Sequence, residues 1–336
     1  MNSFRSVKRA DARVKGEARI NTKGEMTMPS AQDINRVKGM GFLLNRGTET
    51  FSGRLVNKNG VLTVEQLAAV QKIAETYGAG RVAMTSRLQI EIPGIHLEDI
   101  DKAQALAESV GMTFGGTGPR VRPITACKGT TCVYGNADTQ GIAAQLYDTF
   151  YTGWHGVTLP HKFKIGVGGC PNSCMKPTLN DLGIEAHRVP VYELDKCRGC
   201  QKCVISERCP MQALKVEDGK VACDKTLCTE CGVCIEKCPF GVTPAVEKSV
   251  FAVYAGGTWG KKTRMGTRLS RYYEREELEE IVAKVILWYR ENAFQKERLG
   301  AAIDRVGLEA FEKALEGDDL LKRKDEIIAA DLKVRG

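Results

Sequence analysis

The 336-residue chain contains no run of eighteen apolar residues, which excludes a membrane-crossing helix. No G-x-G-x-x-G opens a helix after a strand, so a dinucleotide or flavin site of that kind is excluded and electrons must come from outside the chain. Histidine is scarce, with four residues and no ligand spacing. His161, beside Lys162, therefore reads as a structural or surface group rather than a proton donor. No apolar stretch with a small-residue cleavage site follows Met1, so a cytoplasmic location with reduced thiols is expected. Proline is modest at 11 residues, whereas glycine is high at 35. A composition of 43% hydrophobic and 27% charged residues excludes disorder and fibres, and the length suits two domains or one large one.

Forty-nine Lys and Arg against forty-one Asp and Glu leave a net charge of +8. A basic surface of this kind suits solvent, nucleic acid, or anionic cofactors such as thiolate-held clusters and tetrapyrroles. Arg5, Lys8, Arg9, Arg13, Lys15, Arg19 and Lys23 crowd the start of the chain against only Asp11 and Glu17. With two acids and little serine, that stretch reads as a mobile basic arm and not as a transit peptide.

Thirteen cysteines are too few for a disulfide scaffold of this length and are expected to be ligands. Cys197, Cys200 and Cys203 repeat as Cys228, Cys231 and Cys234, offset by 31 residues. Each C-x2-C-x2-C triplet is followed by a cysteine before proline, Cys209-Pro210 and Cys238-Pro239. That is the pattern of two-cluster bacterial ferredoxins, in which three cysteines of one loop hold three corners of a cubane and the other half supplies the fourth. The expected sets are Cys197, Cys200, Cys203 and Cys238 for one 4Fe–4S cluster, and Cys228, Cys231, Cys234 and Cys209 for a second. The first run has five residues before its Cys-Pro where three are usual. Zinc knuckles would not require both Cys-Pro pairs, and a zinc-bearing nucleic-acid binder fits the charge alone. Cys127 and Cys132 form C-x4-C, and Cys170 and Cys174 form C-x3-C. Spacing leaves these four open to one further cubane or one zinc site. Cys223 stands outside every set and is expected to be a spare buried thiol.

The strings RVAMTSRLQIEIPGI, TACKGTTC and KFKIGVGGCPNSCMKPTLNDLGI resemble the sirohaem-dependent sulfite and nitrite reductases. The similarity is to their small, single-repeat kind with a ferredoxin module after the C-x3-C motif. It runs from about Leu55 to about Arg268 in the same order.

The resemblance implies an α+β fold of antiparallel sheets and helices with an inserted two-cluster ferredoxin domain. Residues 1–54 would be the basic arm and lead-in, 55–114 a ferredoxin-like half domain, 115–188 with 248–336 the sirohaem and cluster domain with C-terminal helices, and 189–247 the insert. It further implies that Cys127, Cys132, Cys170 and Cys174 hold a third 4Fe–4S cluster, with Cys174 also bridging to sirohaem iron. The family's first pair is usually C-x5-C, one residue longer than here. Arg87, Arg122, Lys162 and Lys164 match the positions that bind the oxyanion. Such a quartet suits a dianion approaching an anionic macrocycle. Lys162 and Lys164, two apart on an expected strand, would face one way. Lys261, Lys262 and Arg264, in a glycine-rich basic loop, either meet sirohaem carboxylates or lie in an exposed turn.

Periodicity adds a coarse frame. Thr63-Val-Glu-Gln66 is a capping box opening a helix with Leu67, Val70 and Ile73 on one face, closed by Gly78. Residues 81–86 read as a strand, and Leu88, Ile90 and Ile92 as the inward face of another. Helices are expected over 97–110 and 139–150, and strands over 162–167 and 250–255. In the charged helical tail, 281, 282, 285, 287 and 288 form one apolar stripe and 311, 315 and 320 another. The function expected is six-electron reduction of sulfite to sulfide, with nitrite-to-ammonia reduction or a tetrapyrrole-free electron-transfer subunit as alternatives. Reduced ferredoxin or a flavin-bearing or iron–sulfur partner subunit would supply electrons, and a homo-oligomer or hetero-oligomer would supply the missing half.

Overall fold

The computed structural model describes residues 29–335. The basic arm expected at the start of the chain lies outside them. Two compact units emerge, one of Val61–Thr117 with the described residues up to Asn57, the other of Lys58–Gly60 with the chain from Gly118 onward.

In the first unit Ser30 Oγ accepts the Asp33 N–H at 3.1 Å and starts helix α1 (Ala31–Gly39). Strands β1 (Phe42–Leu44) and β2 (Phe51–Val56) follow, then α2 (Val64–Thr76), whose capping box closes with both bonds, Gln66 N–H to Thr63 Oγ1 at 3.1 Å and Thr63 N–H to Gln66 Oε1 at 3.0 Å. After β3 (Ala83–Met84) and β4 (Ile90–Ile95) come α3 (Ile100–Glu108) and β5 (Thr113–Phe114). The antiparallel sheet runs β1-β2-β4-β3, with β5 also on β2. Phe42, Phe51, Leu55, Ile73, Ile92 and Ile100 form its core. Gly53 is required there, because a Cβ would sit 2.6 Å from the Phe114 ring and 2.8 Å from that of Phe42.

Several expectations are corrected here. Within the segment up to residue 54, the described residues contribute α1, β1 and most of β2. Leu67 is 57% exposed, and Ala69 and Ala74 instead complete the buried face of α2 with Val70 and Ile73. The strand expected over 81–86 shrinks to Ala83–Met84. Leu88 takes a left-handed turn (φ 59°) and Gln89 is buried, because its side chain serves the backbone: Oε1 accepts the Asn57 N–H at 3.0 Å and Nε2 donates to Arg87 O at 3.1 Å.

The second unit is built on strands β6 (Thr125–Ala126), β7 (Ile165–Gly168) and β8 (Leu182–His187), with helix α4 (Thr139–Leu146) between the first two. A wide π-type turn, Tyr147–Gly153, replaces the last turn of the helix expected to reach 150. Next come α5 (Val204–Arg208) and the hairpin β9 (Leu214–Glu217) and β10 (Lys220–Cys223). Strands β11 (Val250–Ala255) and β12 (Thr267–Tyr273) then return to the sheet, which runs β12-β11-β8-β7-β6. This sheet is mixed. β6, β7 and β8 are parallel and only β8-β11-β12 antiparallel. Parallel neighbours need long crossovers, and both crossovers carry something: α4 in one, the Cys170–Cys174 loop in the other.

Helix α6 (Leu278–Asn292) is buried nearly all round, at Leu278 and from Ile281 through Arg290. The two apolar stripes expected in the tail are therefore one core, with the Trp288 and Phe311 rings edge to face at 4.6 Å and Leu315 and Leu320 in the same cluster. Among the described residues no helix is long and apolar enough to cross a membrane.

Candidate functional site

Arg122 follows Val121, which forms a parallel bridge with Phe163, and the Arg122 N–H donates to Phe163 O at 2.8 Å. Phe163 is fully buried, with the half-buried Lys162 and Lys164 on either side of it. Three of the four expected anion ligands thus share one short stretch of backbone pairing. It precedes β7, which begins at Ile165 and not at 162. Arg87 lies in the first unit, half-buried, in the tight turn before β4.

A buried ion pair braces the lysines from beneath. Asp181, without solvent exposure, accepts the Lys164 N–H at 2.9 Å and the Arg298 guanidinium through Nη2 at 2.7 and 2.8 Å and Nε at 3.0 Å. Burial lifts the Asp181 carboxyl above the ordinary range, while Arg298 and the Lys164 N–H pull it back. Lys296 N–H, donating to Pro160 O at 2.8 Å, ties the Arg298 segment to the Lys162 segment. Burial, then Arg298 and Arg122, hold the Lys162 ammonium below the ordinary lysine range. His161 is lowered by burial first and then by Arg298, Lys162, Arg122 and Lys164, and its Nδ1 accepts the Lys162 N–H at 2.7 Å. That bond makes His161 a support for the lysine backbone.

Beside this group opens a cleft of about 1000 Å³, lined by Lys162, Lys261, Lys262, Lys296, Arg298 and Arg335 with Trp259 at its edge. The two acids on its wall are engaged, Glu297 with Arg305 and Asp304 with Arg264. Lys261 and Lys262 are exposed on the β11–β12 loop. Arg264, on the same loop, already has protein partners. Its Nε and Nη2 hold Asp304 at 2.7–3.2 Å, and its Nη1 donates to the carbonyls of Ala255, Gly256 and Met265. It clamps the loop from the wall of the cleft, with its charge shared with Asp304.

Cys127 follows β6 and Cys170 follows the end of β7, so the parallel pair carries cations before its strands and cysteines after them. Cys127, Cys132 and Cys174 are close enough to act electrostatically on Cys170, whose thiol burial pushes up. Cys127 Sγ accepts the N–H groups of Gly169 at 3.2 Å and Gly129 at 3.4 Å. In residues 189–247, Cys209, Cys228, Cys231 and Cys234 line one small cavity. Cys197, Cys203 and Cys238 pack on the same apolar nucleus. Backbone N–H groups point at Cys197 (Val221, 3.3 Å), Cys209 (Ala213, 3.3 Å) and Cys228 (Glu230, 3.4 Å). None of the thirteen cysteines is in a disulfide.

Burial pushes the Cys228 thiol up to about 11. Thiolates in such surroundings need cationic iron beside them as well as N–H donors. Among the described residues no three His, Cys, Asp or Glu side chains converge on a single-ion site. A cubane spreads its cysteines over separate irons, so thiols ringing a cavity with N–H groups aimed at sulfur fit an iron–sulfur cluster. Cys223 is half-buried rather than buried and reaches Tyr192 and Cys228.

Sequence reasoning missed Asp181 and Arg298. They lie 117 residues apart, in no motif. The only signal was an acid seven residues after Cys174, just before β8.

Residues 117–323 match the family described as nitrite and sulphite reductase 4Fe-4S domain, and residues 45–110 the nitrite/sulfite reductase ferredoxin-like half domain. Over 74% of its length the chain is 31% identical to the coenzyme F420-dependent sulfite reductase of Methanocaldococcus jannaschii, spanning 39% of that protein. Over 76% it is 30% identical to an anaerobic sulfite reductase subunit of Salmonella typhimurium, spanning 77% of it. The fold is similar to that of dissimilatory sulfite reductase I, with a TM-score of 0.64 at 20% identity, covering 79% of this chain and 69% of the other.

Proposed function

The chain belongs to the nitrite and sulfite reductase family, and from that premise we propose that it reduces sulfite to sulfide in a six-electron reaction. The observation that carries this reading is the grouping of Arg122, Lys162 and Lys164 around the Val121–Phe163 bridge, beside a cation-lined cleft and on the strand pair that bears the first four cysteines. A polycarboxylate tetrapyrrole suits that cleft, with Lys261, Lys262, Lys296 and Arg335 available to its carboxylates. When bound, sirohaem would supply the iron that takes the anion and delivers electrons to sulfur, with Cys174 as its link to a cluster on Cys127, Cys132 and Cys170.

The protein's own groups hold the anion and feed protons. Arg122 supplies permanent charge for the oxygens. Lys162 and Lys164 add charge and transferable protons. Burial and the neighbouring arginines make the proton on Lys162 Nζ easier to release than that of an ordinary lysine, which suits delivery to an oxygen leaving as water. The two cysteine sets of residues 189–247 would hold two further 4Fe–4S clusters as a ferredoxin-type insert. A reduced ferredoxin or a flavin-bearing or iron–sulfur subunit would load them. Assembly with a second subunit, like or unlike, completes the reading, since one of the relatives is itself named as a subunit.

Lys162→Ala, made anaerobically in a host that makes sirohaem, should retain tetrapyrrole and iron yet lose about 10²–10⁴ in sulfite turnover. Lys72→Ala, an exposed control on α2, should retain full activity. Equal activity in the two variants removes Lys162 from the reaction. Faster turnover of nitrite than of sulfite would move the substrate to nitrite, and iron without extractable tetrapyrrole would make the chain an electron-transfer subunit.

A further inference from the structure

The order of the two clusters within residues 189–247 follows from how unequally their loops meet the sheet; this rests on the reading just given. The Cys228–Cys231–Cys234 loop is stitched to β8 and β12. His187 Nδ1 lies 3.1 Å from Thr229 O, and Arg188 N–H donates to Glu230 O at 3.0 Å. Arg188 also forms a parallel bridge with Cys231, and the Tyr272 hydroxyl donates to Glu230. Gly232 must lack a side chain, since a Cβ would come within 2.8 Å of Arg188 Cβ. Around Cys197 the partners come from its own region: Val221 N–H to the sulfur at 3.3 Å, and Lys220 Nζ to the carbonyls of Leu194 and Cys197 at 2.9 Å.

Asn136 joins the stitched loop to the first four cysteines. Its Nδ2 donates to Cys231 O at 3.3 Å, and its backbone N–H donates to Gly169 O at 2.8 Å. Ser249 Oγ fixes it by donating to Asn136 O at 2.6 Å. Gly169 is bonded directly to Cys170, and its own N–H donates to Cys127 Sγ at 3.2 Å. Electron tunnelling decays more slowly along covalent and hydrogen bonds than across a gap, and two hydrogen bonds complete the path from Cys231 to Cys170.

We propose that Asn136 is the bridge by which electrons pass from the Cys209, Cys228, Cys231 and Cys234 cluster to the Cys127, Cys132, Cys170 and Cys174 cluster. The Cys197, Cys200, Cys203 and Cys238 cluster is then the outer one, loaded by a low-potential one-electron carrier protein. Each transfer moves one electron: the inner cluster is oxidised by one as its acceptor is reduced by one, and no bond or proton is exchanged. Asn136 touches neither anion nor sulfur and is a positioning residue.

The test is electron paramagnetic resonance on the fully reduced holoprotein. Spin coupling to the inner cluster should broaden the signal of the cluster on Cys127, Cys132, Cys170 and Cys174. Cys228→Ala should abolish that broadening and Cys200→Ala should leave it; the opposite pattern overturns the order. Because loss of a ligand can disturb folding, Asn136→Ala provides a second arm that keeps every cysteine. It should retain wild-type iron and reduce the two insert clusters at the normal rate. Freeze-quenched reduction of the remaining cluster by reduced ferredoxin should slow by roughly tenfold or more, and an unchanged rate overturns the bridge. Wild-type iron far below about twelve per chain would defeat the three-cluster reading itself.

Discussion

The sheet with its C-terminal helices and residues 189–247 share one compact unit but are held together by different forces. The first has an extended apolar core, in which α6 is buried nearly all round and the rings of Trp288 and Phe311 pack edge to face. The second has Ile205, Leu214, Val221 and Val242 at its centre with cysteines packed around them, and it leaves Val191, Leu194, Met211 and Phe240 substantially exposed. So small an apolar nucleus does not offset the entropy of ordering the region, and on the proposed reading metal ligation would supply the difference. On that reading, stability and electron supply would be coupled in one region and separable in the other. Losing iron should unfold 189–247 while the sheet persists.

The largest effect expected lies within the sheet region, at the proposed link between its cluster and the tetrapyrrole. Cys174→Ser should abolish turnover and perturb the tetrapyrrole spectrum while the clusters of 189–247 keep their resonance signals; an unchanged pigment spectrum would show that Cys174 is not the bridge. Next in size, anaerobic chelation of iron should strip hydrogen-exchange protection from β9 and β10 and leave α6 protected. Equal opening of α6 would erase the contrast.

Within the sheet region, Arg298→Gln leaves Asp181 buried without its cation and should cost about 3–5 kcal/mol in urea titrations. A conservative Ile205→Val in the other region should cost about 0.5–1.5 kcal/mol in the iron-loaded protein and nothing measurable after chelation. The smallest effect is on pH. Lys162 is charged below its lowered pKa, so its contribution to anion binding is present at lower pH and fades as pH rises through that value, sooner than for an ordinary lysine. Arg122→Gln removes one of the charges lowering it, so the alkaline limb of sulfite affinity should move up; a downward move would show that Arg122 does not act on Lys162.

Local chemistry was legible without the structure. Cluster ligands come in short loops because one loop must wrap three corners of a cubane, and so the triplets, the Cys-Pro pairs and the Thr63–Gln66 capping box stand out in the chain order. The order of motifs likewise pointed to the family and to Arg122, Lys162 and Lys164. Where alternation was trusted too far, at Leu88 and Gln89, a side chain needed to satisfy buried backbone won over hydrophobic pattern.

By itself, then, the amino-acid order determined the cysteine spacings, the capping box and the α+β class, since these depend on neighbours a few residues apart. Only the tertiary structure decided the parallel pairing of β6, β7 and β8, the burial of α6, the internal clamp of Arg264, and the Asp181–Arg298 pair 117 residues apart in the chain. Each of these turns on which distant group satisfies a buried charge, carbonyl or apolar face, and that choice is made by packing, which local spacing does not encode.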